Sequence, residues 1–303
     1  ISTLASGDNT QSLALGGITN GVTNLELTAA FATIANSGYY NEPIFYTQVL
    51  DHDGNVLLDN TNNESRQVLK ETTAWLLTSA MQDVVNSGTG GRARFSGMSI
   101  AGKTGTTTSN RDTLFAGFTP YYTCVVWGGY DDNAQQSSTA YSRNIWRSAM
   151  SRIHEGLSDP GFPQPAGIVT AQVCRKSGKL AIPGVCDADP RGSMVYTEYF
   201  AEGTVPTETC DHHYAATICT ESNAPAGPHC TSVTQGVYII GGSQGTGDTP
   251  YLLPFDPAQI TSCPIHTSPS QSQGNESTAG GTTGSSSEGS GSSSGGEAGS
   301  SSG

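Results

Sequence analysis

Gly97-Met98-Ser99-Ile100-Ala101-Gly102-Lys103-Thr104-Gly105-Thr106 is the stretch on which the reading of this chain turns, because two spacings overlap in it. Counted back from Thr104, two glycines precede a Lys and a hydroxyl, as in a phosphate-binding loop. Such a loop needs a buried strand before it and a helix after it, so that backbone N–H groups face the anion. Neither neighbour is present in the pattern. Gly88 to Ser96 has no apolar run, and Thr106 to Asn110 is polar and rich in β-branched residues, which is poor helix material. Val125-Val126-Trp127 ahead of Asp131 only faintly imitates the acidic strand that holds magnesium. The nucleotide reading is therefore set aside.

Read as a strand, the same residues fit. Ser99 to Thr108 alternates and is rich in Thr, and two more strands are expected over Thr113 to Thr119 and Tyr122 to Tyr130, parted at Pro120. An edge strand can bind an extended peptide through its backbone, while an ammonium and a hydroxyl on it meet a carboxylate. Lys103 and Thr104 would supply those groups, and Gly105 would allow close approach. A solvated lysine on a hairpin is the plain alternative that the short motif leaves open.

The wider context favours the first of these. Gly88-Thr89-Gly90, then Ala101-Gly102-Lys103-Thr104-Gly105-Thr106, Asp112, Phe115 to Pro120 and Trp127-Gly128-Gly129-Tyr130-Asp131 resemble the transpeptidase domain of class A penicillin-binding proteins. So do Ser12 to Gly17, Gly21-Val22-Thr23, Leu25-Glu26-Leu27 and Ala35-Asn36-Ser37-Gly38, in the family's order. Leu114 departs from it, since a Trp usually precedes the Phe there. The resemblance implies peptidoglycan cross-linking through an acyl-serine intermediate, with stem peptides as substrates and β-lactams as inhibitors. It also implies work at the outer face of the cell membrane, with membrane attachment only through an N-terminal anchor, and a glycan-polymerising domain on the N-terminal side. By motif match, Lys103, Thr104, Gly105 and Thr106 would bind substrate, and the Thr106 backbone N–H would be one oxyanion-hole donor.

The attacking group of that class is missing. It is a Ser three residues before a Lys, so that both lie on one helical face. The chain's lysines are Lys70, Lys103, Lys176 and Lys179, preceded at that distance by Gln67, Ile100, Val173 and Lys176. Ser-x-Asn, the family's second motif, occurs as Ser142-Arg143-Asn144, after the Lys103 strand rather than before it. It is read as the start of a helix capped by Ser142. The expectation is a piece of a longer protein, inactive alone, that enters the transpeptidase domain after its second motif. A non-catalytic wall-binding or scaffolding module is the alternative.

Composition narrows the partners. Against 26 acidic residues there are 13 basic ones, a net charge of −13, which argues against nucleic acid. No apolar run reaches membrane-spanning length. Cys124 lies in an apolar strand and reads as a buried thiol. Cys174, Cys186, Cys210, Cys219, Cys230 and Cys263 all fall in the polar C-terminal part, and their even number suggests a disulfide framework in an oxidising compartment. A zinc site using Cys210, His212, His213 or His229 is the competing view, disfavoured because no Cys-x-x-Cys clip is present. No metal and no cofactor are expected.

The fold class expected is α+β: an antiparallel sheet with packed helices, like part of a penicillin-recognising serine transpeptidase. Thr23-Asn24-Leu25-Glu26 is a capping box for a helix ending near Ser37-Gly38. Asp53-Gly54 marks a hairpin. A second helix over Leu69 to Val85 offers Trp75, Leu76, Ala80 and Val84 to the core, and a third over Arg143 to His154 offers Trp146 and Met150. Prolines 160, 163 and 165 mark a boundary, giving residues 1–156 as the transpeptidase part and 157–266 as a disulfide-stapled β-rich extension. Lys176 to Lys179 reads as a hairpin tip, and Glu198 to Pro206 resembles a segment that follows the same family's core. Residues 267–303, nearly all Ser, Gly, Thr and Glu, cannot bury a core and are expected to be disordered. No internal repeat is apparent.

Overall fold

In a computed structural model, residues 1–62, 64–240 and 248–267 are described. The disordered-tail reading falls almost wholly outside them. In chain order the regular elements are α1 (Asn24–Ala35), β1 (Tyr39–Tyr40), β2 (Gln48–Leu50), β3 (Val56–Asp59), β4 (Arg66–Gln67), α2 (Glu71–Asn86), β5 (Ala101–Thr106), β6 (Asp112–Phe118) and β7 (Thr123–Gly129). They continue as α3 (Tyr141–Ile153), β8 (Ile168–Cys174), β9 (Val195–Ala201), β10 (His213–Cys219) and β11 (Val233–Ile239). The pairings are β1 with β4, β2 with β3, β8 with β9 and β10 with β11, besides the three-stranded sheet β5-β6-β7. Among the described residues no helix is long and apolar enough to cross a membrane.

Local signals place several of these elements. The Thr23 hydroxyl caps α1 by accepting from the Glu26 N–H at 3.2 Å, and it donates to the Glu26 carboxylate at 2.8 Å. Gly38 closes the same helix with φ 89°, its N–H reaching the Thr33 carbonyl. A Cβ at Gly38 would lie 2.3 Å from the Leu69 carbonyl oxygen, so no other residue fits. The Asp53-Gly54 turn joins β2 to β3, held by two backbone N–H groups that donate to Asp51.

β6 is the central strand, and the two faces of the sheet pack differently. On one, Phe115 is fully buried with Val85, Ile100, Trp146 and Met150; its ring meets that of Trp146 edge-on at 5.2 Å. On the other, Phe118 and Ala101 pack with Met81 and with Phe31, Ile34 and Ala35 of α1. Each such aromatic contributes about 1.5–3 kcal/mol on burial. Trp146 and Met150 lie where the periodicity puts them. The stripe of α2 lies elsewhere: Ala74, Thr78, Met81 and Val85 are buried, and Ala80 is exposed. The small residues face the sheet because α2 packs close against β5. The Ser142 cap is also corrected. α3 begins at Tyr141, and Ser142 lies inside it, buried, with its hydroxyl 3.1 Å from that of Thr113.

The chain divides into two compact units, Ile1–Ala215 with Val237–Leu253, and Ala216–Gly236 with Pro254–Gly303. The disulfide framework is overturned: all seven cysteines are free thiols. Six of them form two groups of three sulfurs, each with one histidine: Cys174, Cys186, Cys210 and His213 in the first unit, and Cys219, Cys230, Cys263 and His266 in the second. Three sulfurs around one point cannot all be paired by S–S bonds among themselves.

The absence of a repeat is likewise overturned. The turn after Cys174 and the turn after Cys219 make the same bonds. Gly178 N–H donates to the Cys174 carbonyl and Asn223 N–H to that of Cys219. Cys174 N–H donates to Lys179 and Cys219 N–H to Ala224, and Ala181 N–H donates to Gln172 as Ala226 N–H does to Thr217. Gly178 and Asn223 both sit at positive φ, 71° and 52°. Side chains recur as well: Ala171, Cys174, Ser177, Ala181 and Pro183 match Ala216, Cys219, Ser222, Ala226 and Pro228, so the repeat is legible in the sequence once the two turns are aligned.

Candidate active site

β5 lies at the edge of its sheet, in register with β6 so that Lys103 faces Ala116, Thr104 faces Phe115, Gly105 faces Leu114 and Thr106 faces Thr113. Because side chains alternate, Lys103 and Gly105 share the face of Ala116 and Leu114, while Thr104 and Thr106 share that of Phe115. Lys103 is exposed, its Nζ donating to the Thr104 carbonyl at 2.9 Å. This is no phosphate loop: Lys103 and Thr104 stand in the middle of a strand.

Gly102 is required by packing. A Cβ there would sit 2.7 Å from the Phe115 ring and 2.9 Å from the Ala116 carbonyl. At Gly105 the nearest atom would be the Leu114 Cβ at 3.4 Å, an ordinary contact, so the constraint there is much weaker. The turn from β5 to β6 is tied by Thr107, whose hydroxyl donates to the Asp112 carboxylate at 3.0 Å and accepts from its N–H at 2.8 Å. Asp112 also accepts from Trp127 Nε1 at 3.0 Å. Trp127, opposite Leu114 on β7, is half exposed and lies on the same face as Lys103. It supplies an aromatic surface next to the position where this chain has Leu.

Two residues of the site were missed by motif reading. The Thr89 hydroxyl lies 3.0 Å from that of Thr104, and the Thr89 carbonyl accepts from Arg143 Nη1 at 2.8 Å. Arg143 thus straps the Gly88-Thr89-Gly90 loop to α3, and the loop in turn meets β5. The signal was present in Ser142-Arg143-Asn144, read for its Ser and Asn rather than for its Arg. Gly88 and Gly90 are tight as well, since a Cβ at either would meet the Val84 carbonyl at 3.0 Å. Cys124 is half buried in β7, and burial pushes its thiol up. A concavity of about 810 Å³ is walled by Leu25, Ala29, Ile34, Pro43, Phe45 and Val68 among others and includes no residue of β5.

Residues 3–151 match the family model of the penicillin binding protein transpeptidase domain, and residues 164–215 match that of the penicillin-binding protein 1A C-terminal domain. Penicillin-binding protein 1A of Clostridium perfringens (strain ATCC 13124) is 38% identical over 189 residues, 62% of this chain and 23% of that protein. That of Clostridium botulinum (strain Langeland) is 39% identical over 211 residues, 68% of this chain and 25% of that protein. The chain thus spans about a quarter of the length of these relatives. The crystal structure of penicillin-binding protein 1A from Haemophilus influenzae superposes with a TM-score of 0.56 at 23% identity, covering 69% of this chain and 35% of that one. At that identity the likeness shows the fold.

Proposed function

Because the chain belongs to the penicillin-binding protein transpeptidase family, we propose that β5 is the substrate-docking wall of a serine-type peptidoglycan D,D-transpeptidase. One observation carries this: Lys103 and Thr104 stand on a sheet edge with no strand beyond it, among the described residues. An extended D-alanyl peptide adds to such an edge through its backbone. Lys103 and Thr104 leave opposite faces of the strand, but the Lys103 side chain bends along it until Nζ lies 2.9 Å from the Thr104 carbonyl. Ammonium and hydroxyl therefore both meet the terminal carboxylate at the edge, the hydroxyl being positioned by Thr89. β-Lactams such as penicillin, which carry a carboxylate on the carbon attached to the lactam nitrogen, occupy the same edge. The Thr106 N–H completes an oxyanion hole with the N–H of the nucleophile, and such a donor lowers the barrier by roughly 2.7–4 kcal/mol.

The nucleophile comes from sequence that this chain does not contain, since no Ser stands three residues before any Lys. In the whole protein its hydroxyl attacks the carbonyl between two D-alanines and releases the last one. The acyl group then passes to an amine on a neighbouring stem. We propose that a glycosyltransferase domain and an N-terminal membrane anchor precede it, so that the reaction runs on the outer face of the membrane. Residues 1–156 are the transpeptidase part, 157–266 the extension and 267–303 a tail.

Fluorescent penicillin tests the reading. This chain alone should take no covalent label, whereas a longer product of the same gene that includes a Ser-x-x-Lys should be labelled. Lys103→Ala in that longer product should slow acylation at least tenfold. Labelling of this chain by itself, or unchanged acylation in the variant, overturns the assignment. A gene with no upstream Ser-x-x-Lys would point to a wall-binding module instead.

A further inference from the structure

We propose that Cys174, Cys186, Cys210 and His213 bind one zinc ion, and that Cys219, Cys230, Cys263 and His266 bind a second. The expectation of no metal came from the lack of a Cys-x-x-Cys clip, but a Cys-x-x-His clip occurs twice, as Cys210-Asp211-His212-His213 and Cys263-Pro264-Ile265-His266. In each group one donor atom from every residue lies within 4.8 Å of the others. His213 Nδ1 lies 3.4 Å from Cys174 Sγ and 3.4 Å from Cys210 Sγ, and His266 Nδ1 lies 3.4 Å from both Cys219 Sγ and Cys263 Sγ. With Zn–S near 2.3 Å and Zn–N near 2.0–2.1 Å, the S···N edge of a tetrahedron is about 3.5 Å.

The surroundings of both groups are those of ligands. In the first, His213 Nε2 lies 2.7 Å from the Asp189 carboxylate, with both side chains fully buried. A carboxylate there accepts a hydrogen bond from the Nε2–H, which fixes the tautomer and leaves the Nδ1 lone pair directed at the sulfurs. Arg191 holds Asp189 in turn, through Nε at 2.9 Å and Nη2, and pairs with Asp248 as well. In the second group, Glu221 stands 3.3 Å from His266 Nε2 in the same role. Backbone N–H groups point at the sulfurs too: Ile182 at Cys186, His212 at Cys210 and Gly227 at Cys230, at 3.2–3.4 Å. Donors aimed at sulfur favour thiolate over thiol.

His212 and His229, weighed as ligands on sequence grounds, belong to neither group, and His266 was not foreseen. The first group lies wholly within the residues matched by the penicillin-binding protein 1A C-terminal model, and the second lies outside both matched segments. Four protein donors fill each tetrahedron, so the sites are closed and structural. Donors this close fit a single ion; an iron–sulfur cluster interposes several atoms and spreads its cysteines further. On binding, each thiol loses its proton to solvent, three per zinc, and the thiolates are then shielded from oxidation. The need is plain in the packing. The buried cluster of the first group is Cys174, Cys186 and Cys210 themselves, with Ala181, Ile182, Met194 and Val195 around them. A core that small needs a staple.

The test uses the full 303-residue chain, purified under reducing conditions with zinc sulfate and weighed by native mass spectrometry. Two zinc ions per chain are expected. Cys263→Ser should leave one, His213→Ala should leave the other, and the double variant none. Cobalt(II) in place of zinc should give the intense visible bands of a tetrahedral thiolate site. A folded wild-type chain that retains fewer than two zinc ions, or whose mass is lower by the hydrogens lost to disulfides, overturns the proposal. So does a weak octahedral cobalt spectrum. None of these readouts depends on penicillin binding, so failure here and failure of the transpeptidase reading are distinguishable.

Discussion

The sheet around Lys103 and the cysteine-rich segments after Ile168 are held together by different means. Around β6 the work is done by large apolar side chains that interdigitate, with Phe115, Phe118 and Trp146 wholly buried. Beyond Ile168 the buried groups are sulfurs, a His–Asp–Arg chain and tight turns, and few large apolar residues are left to pack. A core of the first kind tolerates a rim cut open for substrate, because its stability is spread over many contacts. A segment of the second kind depends on a few converging donors, and losing one undoes the arrangement.

The sharpest way to break the contrast is Trp146→Ala. Trp146 is fully buried, and its Nε1 donates to the Cys124 carbonyl at 2.9 Å. Removing it should cost the core about 3–5 kcal/mol, measured by urea unfolding. In the folded variant the six clustered thiols should stay as slow to react with a thiol reagent as in the parent. Fast thiol reaction there would mean that the two regions are not held independently. Gly102→Ala comes next: the added methyl meets Phe115 and the Ala116 carbonyl and should cost about 1–3 kcal/mol. Gly105→Ala, with an ordinary contact, should cost less; equal losses would refute the close-packing account of Gly102.

The smallest effect concerns Glu26. The Ser2 N–H, and after it the Thr23 hydroxyl, holds this carboxyl down to about 2 from its ordinary 4.5. The folded value is depressed, so the stabilisation is complete above about 4.5 and is lost as pH falls through about 2. Carbon-detected NMR titration should place the Glu26 midpoint near the lower value, and Glu26→Gln should flatten the pH dependence of stability across that window. A midpoint at 4.5 would remove the carboxylate from the capping arrangement of α1.

Much of the first region was legible because its signals are local. The capping box at Thr23, the Asp53-Gly54 turn, the strand alternation around Lys103 and the helical spacing of Trp146 and Met150 each depend on residues within a turn or two of one another. What local patterns left open were facings: which side of α2 meets the sheet, and that Ser142 lies inside its helix against Thr113. The six cysteines were visible too, but their even count suggested pairs. Only the path of the chain brings Cys174, Cys186 and Cys210 to one histidine and Cys219, Cys230 and Cys263 to another. Sequence by itself therefore determined the family, the strand that carries Lys103 and the residue types available for chemistry. Tertiary structure decided which of those residues meet, because convergence of donors distant along the chain is set by how the intervening turns close.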